Sequence, residues 1–217
     1  MNPETQFDAV IFDCDGVLVD TEHMINKLWQ TMLSEIGLVL TDEEMMSYFS
    51  GKSLPDNITK AVELLGHPLP DHFRNDMAVR GQQLMATELE RVPFIEETLL
   101  RINLPKAVGT NSFSESLDFK LHKADLTKHF QAYICIDHVE APKPAPDIYL
   151  LAAEKLGVNP EKCAVIEDSP IGIRAGVAAG MTVFAYAATM NEEEQKQAGA
   201  SVCFTDMREL PGLLNCS

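Results

Sequence analysis

Residues 7–12, Phe-Asp-Ala-Val-Ile-Phe, form a short apolar run that stops abruptly at Asp13-Cys14-Asp15-Gly16. A β-prone run of that length predicts a buried strand feeding a loop. From about residue 21 to residue 83 the pattern is different. Apolar positions recur at helical spacing, Thr41-Asp42-Glu43-Glu44 has the form of a helix cap, and Gly37, Gly51 and Gly66-His67-Pro68 break the periodicity. No strand-like run interrupts this stretch, so a helical insert is expected after the first strand. Strands and helices then alternate. Residues 106–109 lead into Thr110-Asn111-Ser112 and a helix, and residues 132–136 are followed by a helix over 144–156. Residues 163–166 lead into Glu167-Asp168-Ser169 and a helix ending at Gly180, and residues 181–185 and 201–204 read as two further strands. Such alternation predicts right-handed βαβ crossovers and a parallel sheet. The expected fold class is therefore α/β, with a parallel-sheet core from residues 1–18 and 84–217 and a helical insert over 19–83.

In such a sheet, ligands bind outside the carboxyl ends of the strands. Asp13, Thr110 and Glu167-Asp168 each stand where an apolar run stops, so three strands deliver hydroxyl or carboxylate groups to one edge. Lys143 follows the 132–136 run by a short loop and can join them.

Charge sharpens this picture. The 217 residues carry 17 Lys and Arg against 33 Asp and Glu, a formal net charge of −16. So acidic a surface repels phosphate backbones, which argues against nucleic acid and anionic membranes as partners. It also means that any anionic substrate needs local positive charge, from a divalent cation and one or two well-placed lysines. The five cysteines (Cys14, Cys135, Cys163, Cys203, Cys216) are scattered, with no C-x-x-C pair and no zinc spacing. That usage, a first segment without a basic region or long apolar stretch, and an uncharged window at 175–191 interrupted by Gly176, Gly180 and Thr182 together predict a soluble, cytoplasmic protein. No unusually apolar helix face stands out, and a monomer is expected.

The acids Asp13, Asp15, Glu167 and Asp168 would repel one another in a bare cleft, and a hard cation resolves the conflict. All-oxygen ligation favours magnesium, and magnesium among carboxylates points to phosphate chemistry. Phosphoryl transfer needs an in-line nucleophile, neutralised oxygens and a proton for the leaving group. Asp13 can attack phosphorus and form an aspartyl phosphate. Asp15 can protonate the departing alcohol and later activate water. The Thr110 hydroxyl and the Asn111 amide, with nearby loop N–H groups, can hold phosphate oxygens, and Lys143 supplies fixed positive charge. Asp168 suits direct metal ligation, and Glu167 ligation through water.

Asp13-Cys14-Asp15-Gly16-Val17, Thr110-Asn111-Ser112, Lys143-Pro144-Ala145-Pro146-Asp147 and Glu167-Asp168-Ser169 resemble the four ordered motifs of haloacid dehalogenase-type phosphatases. Ser169 onward to Met181, with Gly172, Ala175-Gly176 and Ala179-Gly180, is similar to that family's signature as well. The resemblance spans the chain and lies nearest the β-phosphoglucomutase-like branch, with its 6-phosphogluconate phosphatase members. It implies a Rossmann-like core with a helical cap that closes over a small sugar phosphate or sugar-acid phosphate. It further implies catalytic roles for Asp13, Asp15, Thr110 and Lys143, and phosphate contacts from Asn111 and Ser112. The implied Mg2+ ligands are Asp13, the Asp15 backbone carbonyl, Asp168 and Glu167 through water. Gly51, Lys52 and Ser53, on a cap loop, become candidates for substrate selection. Mutases of this branch carry a histidine four residues after the D-T pair; here Asp20-Thr21 is followed at that distance by Ile25, so a phosphatase is favoured over a phosphosugar mutase. Dehalogenases and phosphonatases lack the acid that Asp15 supplies. A catalytically silent binding protein on the same fold is the remaining alternative, though none of Asp13, Asp15, Lys143 or Asp168 is substituted.

Taken singly, each motif has a bland reading. D-x-D-G occurs in ordinary turns, Thr110-Asn111 can cap a helix, Lys143-Pro144 can form a surface turn, and Glu167-Asp168 can satisfy a helix dipole. Ser50-Gly51-Lys52-Ser53 imitates a phosphate-binding loop, but position 46 is methionine where that motif needs glycine. Arg74 and Arg80 read best as a solvated helix face, and Trp29 with Met45-Met46 as helical packing. Cys14 reads as an apolar contact with the core. The ordered set lifts the four motifs above these readings.

Overall fold

The computed structural model describes residues 7–49, 54–188 and 190–215. The chain divides into two compact units, one from residues 1–19 and 90–217 and the other spanning Asp20–Leu89. In the first, six parallel strands, β1 (Ala9–Phe12), β2 (Lys106–Gly109), β3 (Ala132–Ile134), β4 (Cys163–Glu167), β5 (Thr182–Tyr186) and β6 (Val202–Phe204), lie in the order β3-β2-β1-β4-β5-β6. The chain builds outward from β1 to β2 and β3, then crosses to the other side of β1 for β4. That reversal is the topological switch point, where α/β sheets open a crevice at their carboxyl ends.

Every residue of β1, β2 and β4 is buried, which is why all of β1, residues 107–109 of β2 and residues 163–166 of β4 read as continuous apolar runs rather than alternating ones. Side chains still alternate between faces. Ala9, Ile11, Ala107, Val165 and Val183 join one core cluster with Ile148, Tyr149 and Ala152 of the helix Asp147–Leu156 and Ile173 and Ala175 of the helix Pro170–Ala178. Small residues bring those helices close. A Cβ on Gly109 would come within 3.0 Å of the Ile148 Cγ2, and one on Gly176 within 2.7 Å of the Val183 Cγ2. Aromatic rings make edge-to-face contacts across the sheet, Phe12 with Phe130 at 6.0 Å and Phe7 with Phe184 at 5.6 Å.

The second unit is helical: α1 (Thr21–Glu35), α2 (Asp42–Tyr48), α3 (Leu54–Leu65) and α4 (Phe73–Glu88). The Asp20 carboxylate accepts from the His23 N–H at the start of α1, and Thr41 with Glu44 forms the expected capping box before α2. Trp29 stands between Phe49 and Phe73, at 5.6 and 5.5 Å between ring centroids, in a core with Leu28, Met32 and Met45. Trp29 and Met45 thus serve packing, whereas Met46 is exposed. Arg80 makes two hydrogen bonds to Glu35 at 2.7 and 2.9 Å, and Arg74 is exposed. The expected boundary between residues 83 and 84 falls inside α4. No glycine or proline follows Gly81 before the helix ends, so the helix runs on to Glu88 and the unit to Leu89. Gly51, Lys52 and Ser53 lie outside the described residues. Among the described residues no helix is long and apolar enough to cross a membrane.

The remaining α-helices among the described residues belong to the sheet unit: α5 (Ile95–Arg101), α6 (Ser114–Lys123), α7 (Asp147–Leu156), α8 (Pro170–Ala178), α9 (Glu192–Ala198) and α10 (Leu210–Leu213).

Candidate active site

The register places the chemistry. Phe12 pairs with Val108 on one side and Ile166 on the other, so Asp13, Gly109-Thr110 and Glu167 emerge at neighbouring points on the carboxyl edge. The Asp13 N–H donates to the Ile166 carbonyl at 2.9 Å, which carries the ladder one residue past β1 and fixes the base of the Asp13 side chain. Asp13, Thr110, Lys143, Glu167 and Asp168 are all buried.

Lys143 ties two of these acids together. Its ammonium donates to the Asp13 Oδ1 at 2.6 Å and to the Glu167 Oε1 at 2.7 Å, and lies 4.7 Å from the centre of the Tyr149 ring. Burial works against a charged lysine, yet Asp13 and Glu167 outweigh it and hold its pKa above the usual range. On Asp13 itself, burial is the largest influence. With Glu167 and Asp15 adding to it against Lys143, the carboxyl is pushed up to about 7. The neighbourhood is short of positive charge. Oxygens of Asp13, Glu167 and Asp168 lie within 4.8 Å of one another, an all-carboxylate donor set suited to a hard divalent cation.

Glu167 is saturated. Besides Lys143, its Oε1 accepts from the Tyr149 hydroxyl at 2.7 Å, and its Oε2 accepts from the N–H of Asp168, the N–H of Ser169 and the Ser169 hydroxyl at 3.0, 3.1 and 3.0 Å. Five hydrogen bonds leave this carboxylate little capacity for a metal. Two of the five bonds come from the backbone N–H groups of Asp168 and Ser169, in the turn that leads into α8. Ser169 caps α8 by accepting from the Gly172 N–H at 3.1 Å.

Two glycines make room for these acids. A Cβ on Gly16, whose φ is +76°, would lie 2.0 Å from the Asp168 Oδ2, and one on Gly172 would lie 1.5 Å from the Glu167 Oε1. In an open helical site Gly→Ala stabilises by roughly 1 kcal/mol. Here Gly172→Ala is expected to destabilise by about 3 kcal/mol, because Glu167 must leave its five partners. Urea unfolding of the two proteins checks the sign. A variant as stable as the parent would mean that Glu167 can relocate freely.

The expected phosphate ligands are more engaged with protein than their motif suggests. Asn111 clasps the Lys143 backbone, its Oδ1 accepting from the Lys143 N–H at 2.9 Å and its amide donating to the Lys143 carbonyl at 3.2 Å. The Thr110 hydroxyl accepts from the Ser112 N–H at 3.1 Å rather than capping α6. The Ser112 hydroxyl donates to the Asp15 Oδ2 at 3.0 Å. Cys14 is fully buried, and that burial raises its pKa well above the ordinary thiol value, as suits a core contact.

Sequence reasoning missed Lys120. Its ammonium donates to both Asp15 oxygens at 2.7 Å and to the Ser112 hydroxyl at 2.9 Å. Burial disfavours this charge too, but Asp15 outweighs it and keeps the pKa above the ordinary lysine value. The signal was present: Leu117, Leu121 and Ala124 form an apolar stripe, and a lysine stands on that stripe. Tyr149 and Gln195, whose amide donates to the Asp168 carbonyl at 2.7 Å, were likewise not anticipated. Lys143 and Lys120 are both buried cations paired with these acids.

A buried acid after the first strand, paired to a lysine at the switch point of a parallel sheet and flanked by a second acid pair, is an arrangement suited to phosphoryl transfer. The chain belongs to the haloacid dehalogenase-like hydrolase family, whose model matches residues 7–180. It is 33% identical over 178 residues to the fructose-1-phosphate phosphatase YqaB of Escherichia coli K12, covering 81% of this chain and 94% of that one. To the 6-phosphogluconate phosphatase of the same organism it is 28% identical over 215 residues, 96% of this chain and 95% of that one. Among solved structures, a HAD family hydrolase from Deinococcus radiodurans R1 with bound phosphate and sodium superposes with a TM-score of 0.88 at 33% identity, covering 98% and 97% of the two chains.

Proposed function

We propose that this chain hydrolyses a small sugar phosphate or sugar-acid phosphate with Mg2+, through an aspartyl phosphate on Asp13. The observation that carries this reading is the buried Asp13 carboxylate at the switch point, 2.6 Å from Lys143 and clustered with Glu167 and Asp168. Asp13 and Asp168, with the Asp15 carbonyl, would hold the ion, which supplies charge neutralisation for the phosphate oxygens. In the first step an Asp13 oxygen forms a bond to phosphorus and the ester P–O bond breaks. The leaving alkoxide takes a proton from the Asp15 carboxyl. In the second, the Asp15 carboxylate removes a proton from water as the water oxygen attacks phosphorus, and the P–O bond to Asp13 breaks. Lys143 holds Asp13 in place, balances charge on the reacting group, and is itself held through its backbone by Asn111. Substrate selection falls to the helical unit acting as a cap. The similarity to the fructose-1-phosphate and 6-phosphogluconate phosphatases supports phosphorylated sugars and sugar acids as the substrate class. Against a mutase, the position after Asp20-Thr21 that would carry the second acid–base histidine is Ile25, which packs on the apolar core of the helical unit.

Phosphate release from fructose 1-phosphate, 6-phosphogluconate, hexose and pentose phosphates and phosphoglycolate, with magnesium and with a chelator, tests the reading. Magnesium-dependent release on one class of sugar supports it. Interconversion of β-glucose 1-phosphate and the 6-phosphate without release would replace it with a mutase. Metal binding has a readout independent of turnover. Magnesium at a hundred times its dissociation constant should stabilise the fold by about 2.7 kcal/mol, and this shift should vanish in Asp168→Asn. An equal shift in both proteins would place the ion elsewhere.

A further inference from the structure

Lys120 sits on the buried apolar stripe of α6, a position the periodicity of Leu117, Leu121 and Ala124 reserves for a hydrophobic side chain. Its side chain is 7% exposed. A lysine ammonium there is destabilising unless it is paired. Its three hydrogen bonds go to the two Asp15 oxygens and the Ser112 hydroxyl, and that hydroxyl donates in turn to the Asp15 Oδ2. The triangle is chemically closed: Lys120 donates to both partners, and Ser112 accepts from the lysine and donates to the acid. A carboxylate gripped at both oxygens has its χ1 and χ2 angles fixed. The grip is uneven, however. Oδ2 accepts two hydrogen bonds and Oδ1 one, which leaves Oδ1 a lone pair for a further partner. The Asp15 side chain is 37% exposed, so that partner can arrive from solvent or substrate. Lys120 itself is too enclosed to meet a substrate directly.

We propose that Lys120 is a positioning residue for the acid–base step: with Ser112 it holds the Asp15 carboxylate where its Oδ1 serves the leaving oxygen and then the attacking water. Ser112 therefore belongs to this clamp rather than to the phosphate ligands. The inference rests on the phosphatase reading above, in which Asp15 is the acid and base.

The test separates substrates by their need for that proton. Cleavage of an alkyl phosphate needs an acid for the alkoxide, whereas p-nitrophenolate departs without one, and kcat/KM reports only steps through the first ester cleavage. Lys120→Met, which keeps the length and the apolar stem, should lower kcat/KM on the best sugar phosphate by about 10–100-fold, a part of the usual worth of a general acid. It should change kcat/KM on p-nitrophenyl phosphate by less than about threefold. Ser112→Ala should show the same split at smaller amplitude, and Lys120→Arg should restore part of the alkyl rate. The double variant Asp15→Asn/Lys120→Met should be no slower than Asp15→Asn, because the lysine acts only through the acid. Equal losses on both substrates would mean that Lys120 serves the phosphoryl group or general folding, and would overturn the proposal, as would an unchanged alkyl rate. If Lys120→Met fails to fold, the substrate split in Ser112→Ala and Lys120→Arg decides instead, and its absence there counts against the clamp. A parent protein that cleaves neither substrate would defeat the phosphatase reading itself, a result distinct from any of these.

Discussion

Asp13→Asn is expected to reduce kcat on every phosphate ester by about 10⁴-fold or more, while the protein stays folded and still binds phosphate. The substitution is nearly isosteric. The Asn oxygen can still accept from Lys143, and the backbone N–H to the Ile166 carbonyl is untouched. What is lost is the anionic oxygen that attacks phosphorus, since an amide is too weak a nucleophile to form the acyl phosphate. A loss of that size corresponds to about 5 kcal/mol of transition-state stabilisation. The folded state should not weaken in the absence of metal, because one of three crowded buried carboxylates has been neutralised. Three measurements check this together: single-turnover phosphate release, calorimetric titration with inorganic phosphate, and thermal unfolding with a chelator present. Acid-quenched parent enzyme should carry one phosphoryl group on the peptide containing Asp13, and the variant none. If the variant retained more than about a hundredth of the parental kcat, Asp13 would be a ligand and water the direct attacker.

That the nucleophile was legible in the sequence follows from how parallel sheets are built. β1 and β4 are buried on both faces, so each is an uninterrupted apolar run, and a polar residue at its end is conspicuous. Asp13, Thr110 and Glu167-Asp168 could be placed at one edge because parallel strands all point the same way. Lys143 was reachable because only a short loop separates it from β3. The rest depends on contacts that no local pattern encodes. Lys120 meets Asp15 across 105 residues of sequence and Lys143 meets Asp13 across 130, so pairing has to be guessed from chemistry alone. For Lys143 the guess was prompted by its motif. For Lys120 the one local hint was a charge on an apolar stripe. The allocation of Asn111 and Ser112 shows the same limit, since a polar side chain in a motif can face the ligand or brace its neighbour, and only the structure sets Asn111 on the Lys143 backbone. The end of α4 lies beyond residue 83 for a local reason: helix formers continue without a glycine or proline and carry the helix through to Glu88.

The Lys143→Met variant is expected to lose both activity and stability, and the stability loss should depend on metal. In the parent protein one ammonium serves two buried carboxylates, at 2.6 and 2.7 Å. Removing one partner of such a pair leaves uncompensated charge, which typically destabilises by about 3–5 kcal/mol, or roughly 10 °C in the unfolding midpoint for a chain of this size. Glu167 keeps its bonds from Tyr149, Ser169 and the Asp168 N–H, so the larger share of the loss should fall on Asp13. A divalent cation held by Asp13 and Asp168 can neutralise part of that excess. Added magnesium should therefore raise the midpoint of Lys143→Met more than that of the parent, whereas a purely steric defect would leave the two increments equal. The double variant Lys143→Met/Glu167→Gln should recover stability without recovering turnover, because it restores the charge balance but not the cation beside the nucleophile. Should Lys143→Met prove as stable as the parent without metal, the buried pair would contribute no net stability to the fold, and the lysine would be retained for the reaction alone.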